Sequence, residues 1–141
     1  MNKFFVSTKI YSGPNSLDVL KRFRDKKVWI VCDSFIAKSP ALGRITSLLE
    51  PANEVHVFSE VTPDPSIDLV VKGLGHFQEI RPDVVIGFGG GSSIDAGKAI
   101  VYFARQQGLD IETCVAIPTT SGTGSEVTSA TVISDPAKGI K

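Results

Sequence analysis

The chain has 141 residues, of which 42% are hydrophobic, and its 15 basic residues balance 15 acidic ones. This length and apolar content suit one domain with a sizeable core, and the lack of a basic stripe argues against binding to nucleic acid or an anionic membrane surface. No apolar run approaches the roughly 20 residues that span a bilayer, and the N-terminal stretch is too short and too polar for a signal peptide. We therefore expect a soluble cytoplasmic protein whose two cysteines, Cys32 and Cys114, are free buried thiols.

The first part of the chain alternates between strand-like and helix-like stretches. Residues 4–11 carry β-favouring side chains and predict a strand, and residues 16–23 predict a short helix. The continuous apolar run 28–32 predicts a buried strand that stops at Asp33. Ser39-Pro40 then predicts the N-cap and first residue of a helix that reaches about residue 49.

The same alternation continues through the middle of the chain. Residues 55–58 predict a third strand, and Ser66 is predicted to cap the helix that follows the turn at 62–65. The inner face of that helix is predicted from apolar positions at helical spacing, namely Ile67, Val70, Val71, Leu74, Phe77 and Ile80. Strands that alternate with helices in this way predict an α/β fold with a doubly wound, mostly parallel sheet and helices on both faces.

The most informative stretch is a strand that ends in glycines. The apolar run 84–87 leads into Gly89-Gly90-Gly91, and a helical pattern with Ser92 or Ser93 as its N-cap follows. Glycines leave the backbone bare, and the first N–H groups of a helix have no internal partners, so this turn can bind a phosphate. The spacing matches neither Gly-x-Gly-x-x-Gly nor a P-loop. A tight turn without a ligand therefore remains the alternative.

Other strand ends carry polar residues as well. Asp33 follows a buried strand, where a carboxylate can accept hydrogen bonds from both hydroxyls of an adenosine ribose and repel a 2′-phosphate. A helix-starting aspartate is an equally good interpretation, and in the usual fingerprint the acidic residue follows the glycine loop rather than preceding it. Asp95 lies just inside the helix after the glycines, where it either complements the helix dipole or contacts a cofactor group.

A further polar loop follows the predicted strand 115–117. Residues 119–125 are all Thr, Ser or Gly, and their hydroxyls and amides can line a phosphate or ribose without adding charge. A surface loop without function is the alternative for this stretch alone. Because ligands bind outside the carboxyl ends of the strands in a doubly wound sheet, the two loops and Asp33 together predict a dinucleotide crevice.

These motifs resemble the N-terminal half of the iron-containing alcohol dehydrogenases. The resemblance rests on Gly89-Gly90-Gly91-Ser92-x-x-Asp95, on 117–128 and on the turn Thr62-Pro63-Asp64-Pro65. It implies a Rossmann-like, dehydroquinate synthase-like N-terminal domain and an NAD-dependent interconversion of a primary alcohol and its aldehyde. Within the family, similarity to enzymes of propanediol-utilising bacterial microcompartments implies 1-propanol and propanal as the substrate pair and a cytoplasmic, microcompartment location.

The resemblance also implies a set of cofactor-binding residues. Asp33 would hold the adenosine ribose and disfavour NADP, and the pyrophosphate would lie on the glycine turn. The full implied set is Asp33, Gly90, Gly91, Ser92, Asp95, Thr119, Thr120, Thr123, Val132 and Lys141. Asp64 stands where many relatives have Asn, so we assign it no role.

In this family one aspartate and three histidines of a following helical domain bind the metal. The present sequence has only His56 and His76, without metal-binding spacing, so packing is the better interpretation of both. We therefore expect residues 1–141 to be the NAD-binding domain of a longer two-domain enzyme, inactive alone, with Fe²⁺ only in the full-length protein.

Three alternatives stay open on the sequence: a glycerol dehydrogenase, a dehydroquinate-synthase-like enzyme, or a non-catalytic nucleotide-binding module. The Thr-Thr-x-Gly-Thr-Gly-Ser-Glu run at 119–126 argues against the two enzymes. We also expect the terminal strand 4–11 to offer an edge through which two chains could form a homodimer.

Overall fold

The computed structural model describes residues 8–119, which contain a four-stranded sheet in the order β2-β1-β3-β4 with every pair of neighbours parallel. The strands are β1 (Lys27–Asp33), β2 (Glu54–Val61), β3 (Val84–Gly89) and β4 (Thr113–Pro118). The helices are a 3₁₀ helix (Ser16–Arg22), α1 (Ser34–Ala37), α2 (Pro40–Leu49), α3 (Ile67–Ile80) and α4 (Gly91–Gln106). None of the helices within residues 8–119 has the length and apolar character to cross a bilayer.

Helices cover both faces of the sheet, as predicted. Successive side chains of a strand point to opposite faces, so Trp29 and Val31 pack on one side of β1 and Val28, Ile30 and Cys32 on the other. The first face is closed by α3 and α4, and the second by the 3₁₀ helix, α1 and α2. This two-sided burial explains why the central strands read as continuous apolar runs and confirms the doubly wound α/β fold.

Helix α3 begins where the sequence indicates, and four of its six predicted inner residues, Val70, Leu74, Phe77 and Ile80, pack in or against the core. The Ser66 hydroxyl accepts a hydrogen bond from the Leu69 N–H at 3.2 Å, which confirms the predicted cap. The prediction that Ile67 and Val71 point inward is wrong, because their side chains are 45% and 61% exposed. Gly73 is buried in their place, against Ile100 of α4, so α3 is rotated to bring its glycine to the other helix.

Two further predictions need correction. Residues 8–11 form no strand, so the predicted strand 4–11 is wrong in its second half, and residues 4–7 lie outside the described part of the chain. Cys32 is fully buried, but Cys114 is exposed on β4, so only one of the two thiols is a core residue.

Candidate functional site

The carboxyl ends of β1, β3 and β4 meet at one edge of the sheet. Val31 of β1 is aligned with Gly87 of β3, and Gly87 with Ala116 of β4. Two residues further along each strand come Asp33, Gly89 and Pro118, and Gly89 and Pro118 are themselves register partners. Asp33, the glycine turn and Thr119 therefore lie along the same edge, as the sequence predicted.

This edge contains the point where the winding of the sheet reverses. The chain leaves β1 toward α1 and α2 on one face, whereas it leaves β3 into α4 on the opposite face. Because β1 and β3 are neighbours, the loops after them diverge and leave a crevice between the two strand ends. Asp33 and the glycine turn are the two borders of that crevice.

The glycine turn begins the helix earlier than predicted. Gly90 is the N-cap and α4 starts at Gly91, so the prediction that Ser92 or Ser93 caps the helix is wrong. Gly89 has a φ of +139°, which glycine adopts readily, and this lets the strand turn directly into the helix. Ser93 is 1% exposed and packs beneath the turn, where its Oγ is 3.0 Å from the position that a Cβ on Gly89 would occupy.

The N-terminus of α4 consequently carries no side-chain cap. The first amides of a helix lack intrahelical acceptors and lie at the positive end of its dipole, which favours an anion. Gly90, Gly91 and Ser92 form this end of the helix and are partly buried. Such a helix end can bind a phosphate group, and the pyrophosphate contact of these three residues stays a prediction.

Glycines also hold α4 close to the sheet. A Cβ on Gly87 would lie 3.1 Å from the Cα of Ile94, and a Cβ on Gly97 would lie 3.7 Å from the Cα of Gly87. Backbone meets backbone at this crossing, which places the first turn of α4 directly over the end of β3. This role of Gly87 and Gly97 was not predicted, although a glycine inside an apolar strand is a recognised sign of close backbone approach.

Ser92 and Asp33 each have a defined hydrogen-bond partner. The Asp64 N–H donates to Ser92 Oγ at 3.3 Å, so the turn after β2 reaches the glycine turn. Asp33 Oδ1 accepts the N–H of Ile36 at 2.7 Å and caps the four-residue helix α1. The helix-starting interpretation of Asp33 is therefore confirmed. The Asp33 carboxylate is partly buried and borders the crevice. Its contact with the ribose stays a prediction.

Asp95 does not lie at the helix end. It is the fifth residue of α4, outside the first turn, so the prediction that it complements the helix dipole is wrong. Its Oδ1 lies 3.9 Å from Nζ of Lys98, and the two side chains are only 14% and 20% exposed. The cofactor contact predicted for Asp95 is a separate question and stays a prediction.

Several predicted residues lie beyond the part of the chain that the structure describes. Thr119 is described: it is exposed, and its N–H donates to the Gly89 carbonyl at 2.8 Å, which ties the start of the polar loop to the glycine turn. The residues outside the range are Thr120, Thr123, Val132 and Lys141.

The described residues do not fit an iron site. Within residues 8–119 there is no group of three or more His, Cys, Asp or Glu side chains that could hold a metal ion. His56 lies on β2, where its Nε2 is 3.4 Å from Oε1 of Glu54, and the ring of His76 contacts the ring of Phe58.

The Cys32 thiol near this edge of the sheet is not reactive. Burial, with a smaller contribution from Asp33, raises the pKa of the thiol to about 11, so this cysteine is held in its neutral form.

Comparison with known proteins now gives the family. The family model of iron-containing alcohol dehydrogenases matches residues 7–141. The chain belongs to this family. It is 61% identical over all of its 141 residues to the 1-propanol dehydrogenase PduQ of Citrobacter freundii and 62% identical to that of Salmonella typhimurium. The chain spans 38% of the length of each of these relatives.

Solved structures agree with the assignment. The iron-containing alcohol dehydrogenase of Thermococcus thioreducens superimposes with a TM-score of 0.87 at 27% sequence identity. The match covers 98% of this chain and 42% of the archaeal one. This chain therefore has the fold of the matching part of the archaeal enzyme.

Proposed function

We propose that residues 1–141 form the NAD(H)-binding domain of an iron-dependent alcohol dehydrogenase that interconverts a short-chain primary alcohol and its aldehyde. The substrate pair we propose is 1-propanol and propanal, because the two relatives named as 1-propanol dehydrogenases share 61% and 62% identity across the whole chain.

The observation that carries this proposal is the position of Asp33 opposite the uncapped N-terminus of α4. A dinucleotide offers a ribose with two hydroxyl donors and, one short linkage away, a diphosphate that needs amide donors. The carboxylate and the amides stand on the two sides of one crevice, which matches both groups. The Ile36 N–H holds one oxygen of Asp33, so the carboxylate is oriented before a ligand binds.

Each group has a separate task in this proposal. Gly90, Gly91 and Ser92 bind the diphosphate, and Thr119, Thr120 and Thr123 line the phosphate and nicotinamide-ribose side. Asp95, Val132 and Lys141 complete the set of cofactor contacts. The bound nicotinamide supplies the hydride that is exchanged with the substrate. The chain's own residues hold and orient it, and we assign no step to iron because the described residues do not fit that metal.

The test is a titration of the purified protein with NADH and NADPH. We expect NADH to bind at least about tenfold more tightly, because a 2′-phosphate beside the Asp33 carboxylate places like charges together. Asp33→Asn keeps an oxygen for the Ile36 N–H but removes the charge, so it should lose the preference without losing stability. Asp33→Gly should lose the preference as well. Equal affinity of the unmodified protein for both cofactors would contradict the proposal.

We further propose that the protein works in the cytoplasm inside a bacterial microcompartment, and that it forms a homodimer through its N-terminal segment. Support for the location comes from the resemblance to enzymes of propanediol-utilising microcompartments. Support for the dimer comes from the β-favouring residues at 4–6, since residues 8–11 form no strand. Co-sedimentation with purified microcompartments tests the location. Sedimentation of the protein with and without residues 1–11 tests the assembly, since a monomer in both samples would rule out the dimer.

A further inference from the structure

Phe35 is the most exposed large apolar side chain among residues 8–119, with 79% of its surface accessible. It does not lie on a remote surface. It belongs to α1, two residues after Asp33, at the carboxyl end of β1. Single exposed apolar side chains are common on protein surfaces, so the position of this ring matters more than its exposure. Its accessible surface is available to a ligand two residues from the carboxylate that is predicted to bind the ribose.

The short helix that carries Phe35 is held at several points. Asp33 Oδ1 accepts the Ile36 N–H at 2.7 Å, and the Ser39 hydroxyl donates to the Ile36 carbonyl at 2.8 Å. The Ile36 side chain is 8% exposed and packs in the core. Phe35 therefore lies on a helix whose backbone is held in place. An exposed ring on such a backbone loses little conformational freedom when it binds a ligand.

Helix α1 also lies directly against the glycine turn. Cγ1 of Ile36 is only 3.7 Å from the position that a Cβ on Gly89 would occupy. The residue next to Phe35 thus contacts the strand end that leads into the phosphate-binding amides. Phe35 therefore lies on the β1 side of the crevice, one residue from this contact and two residues from Asp33.

We propose that Phe35 binds the dinucleotide directly, with the adenine ring stacked on its side chain. The inference rests on the proposed function, because it takes the adenosine ribose to lie at Asp33. The base is attached to that same ribose, so it must lie beside the carboxylate, where Phe35 offers a flat apolar surface. Stacking of bases on aromatic side chains is a general mode of nucleotide recognition.

The experiment compares the unmodified protein with Phe35→Ala, Phe35→Tyr and Phe103→Ala. Phe103 is a matched control, since it is 46% exposed but lies in the C-terminal half of α4, away from the crevice. Affinities for NADH and for ADP-ribose, which shares the adenosine but lacks nicotinamide, are measured by calorimetry. Thermal unfolding of each variant without ligand reports on its stability.

We expect Phe35→Ala to weaken NADH and ADP-ribose by the same factor, at least about fivefold, because both ligands carry adenine. Phe35→Tyr should restore both affinities, and Phe103→Ala should leave them unchanged. Undiminished affinity of Phe35→Ala, or a loss confined to NADH, would overturn the inference. A lower unfolding temperature with unchanged affinity would overturn it too, since Phe35 would then pack against protein. If the unmodified protein binds neither ligand, the proposed function itself fails.

Discussion

The close crossing of α4 over β3 gives a sharp test of how the site is positioned. In Gly87→Ala the new Cβ would lie 3.1 Å from the Cα of Ile94 and 3.5 Å from the carbonyl oxygen of Ser93. Both neighbours are backbone atoms, so no change of rotamer relieves the contact. Carbon atoms pack best at about 3.5–4.0 Å, so the first turns of α4 must move away from the sheet by about 0.5 Å. We expect this overpacking to lower the free energy of unfolding by about 1–3 kcal/mol.

The displacement should also weaken binding of NADH, because the amides of the first turn of α4 move with the helix. Chemical denaturation measures the free energy of unfolding, and fluorescence titration measures the affinity for NADH. Gly75→Ala is the matched control, because no atom lies within 4 Å of its added Cβ and alanine favours the helix. That control should gain about 0.5–1 kcal/mol of stability and bind NADH normally. If Gly87→Ala were as stable as the unmodified protein and bound NADH equally well, our account of the crossing would be refuted.

Three further predictions concern stability and the thiols. Ser66→Ala removes the hydroxyl that accepts the Leu69 N–H, and thermal unfolding should show a loss of about 0.5–2 kcal/mol. Burial raises the pKa of Cys32 from 9.0 to about 11, so the neutral thiol stabilises the folded state below pH 9. As the pH rises from 9.0 to about 11, the free energy of unfolding should fall by roughly 3 kcal/mol more in the unmodified protein than in Cys32→Ala. Denaturation at several pH values measures this difference. A thiol reagent should label exposed Cys114 in the native protein and reach Cys32 only after unfolding, which mass spectrometry of the labelled peptides would show.

The local elements could be predicted from the sequence because their causes are local. Continuous apolar runs identified β1 and β3, and Ser39-Pro40 and Ser66 marked the starts of α2 and α3. The bare glycine turn was also predictable, since three consecutive glycines after a strand have no Cβ and can adopt turn conformations that other residues avoid. Errors arose where tertiary packing chose between local options. Ser92 and Ser93 are good cap residues by type, yet the close approach of α4 to β3 buries Ser93 and makes Gly90 the cap.

The sequence by itself thus determined which segments are strands and helices and which strand ends carry polar groups. Only the tertiary structure decided that β1 lies between β2 and β3, which brings Asp33 beside Gly89 across a reversal in the winding. Strand order depends on burying both faces of the sheet under helices, a requirement that no single segment expresses. For the same reason only the folded chain placed Phe35 at the crevice and turned Val71 to solvent: neighbours distant in sequence decide which side of a helix is covered.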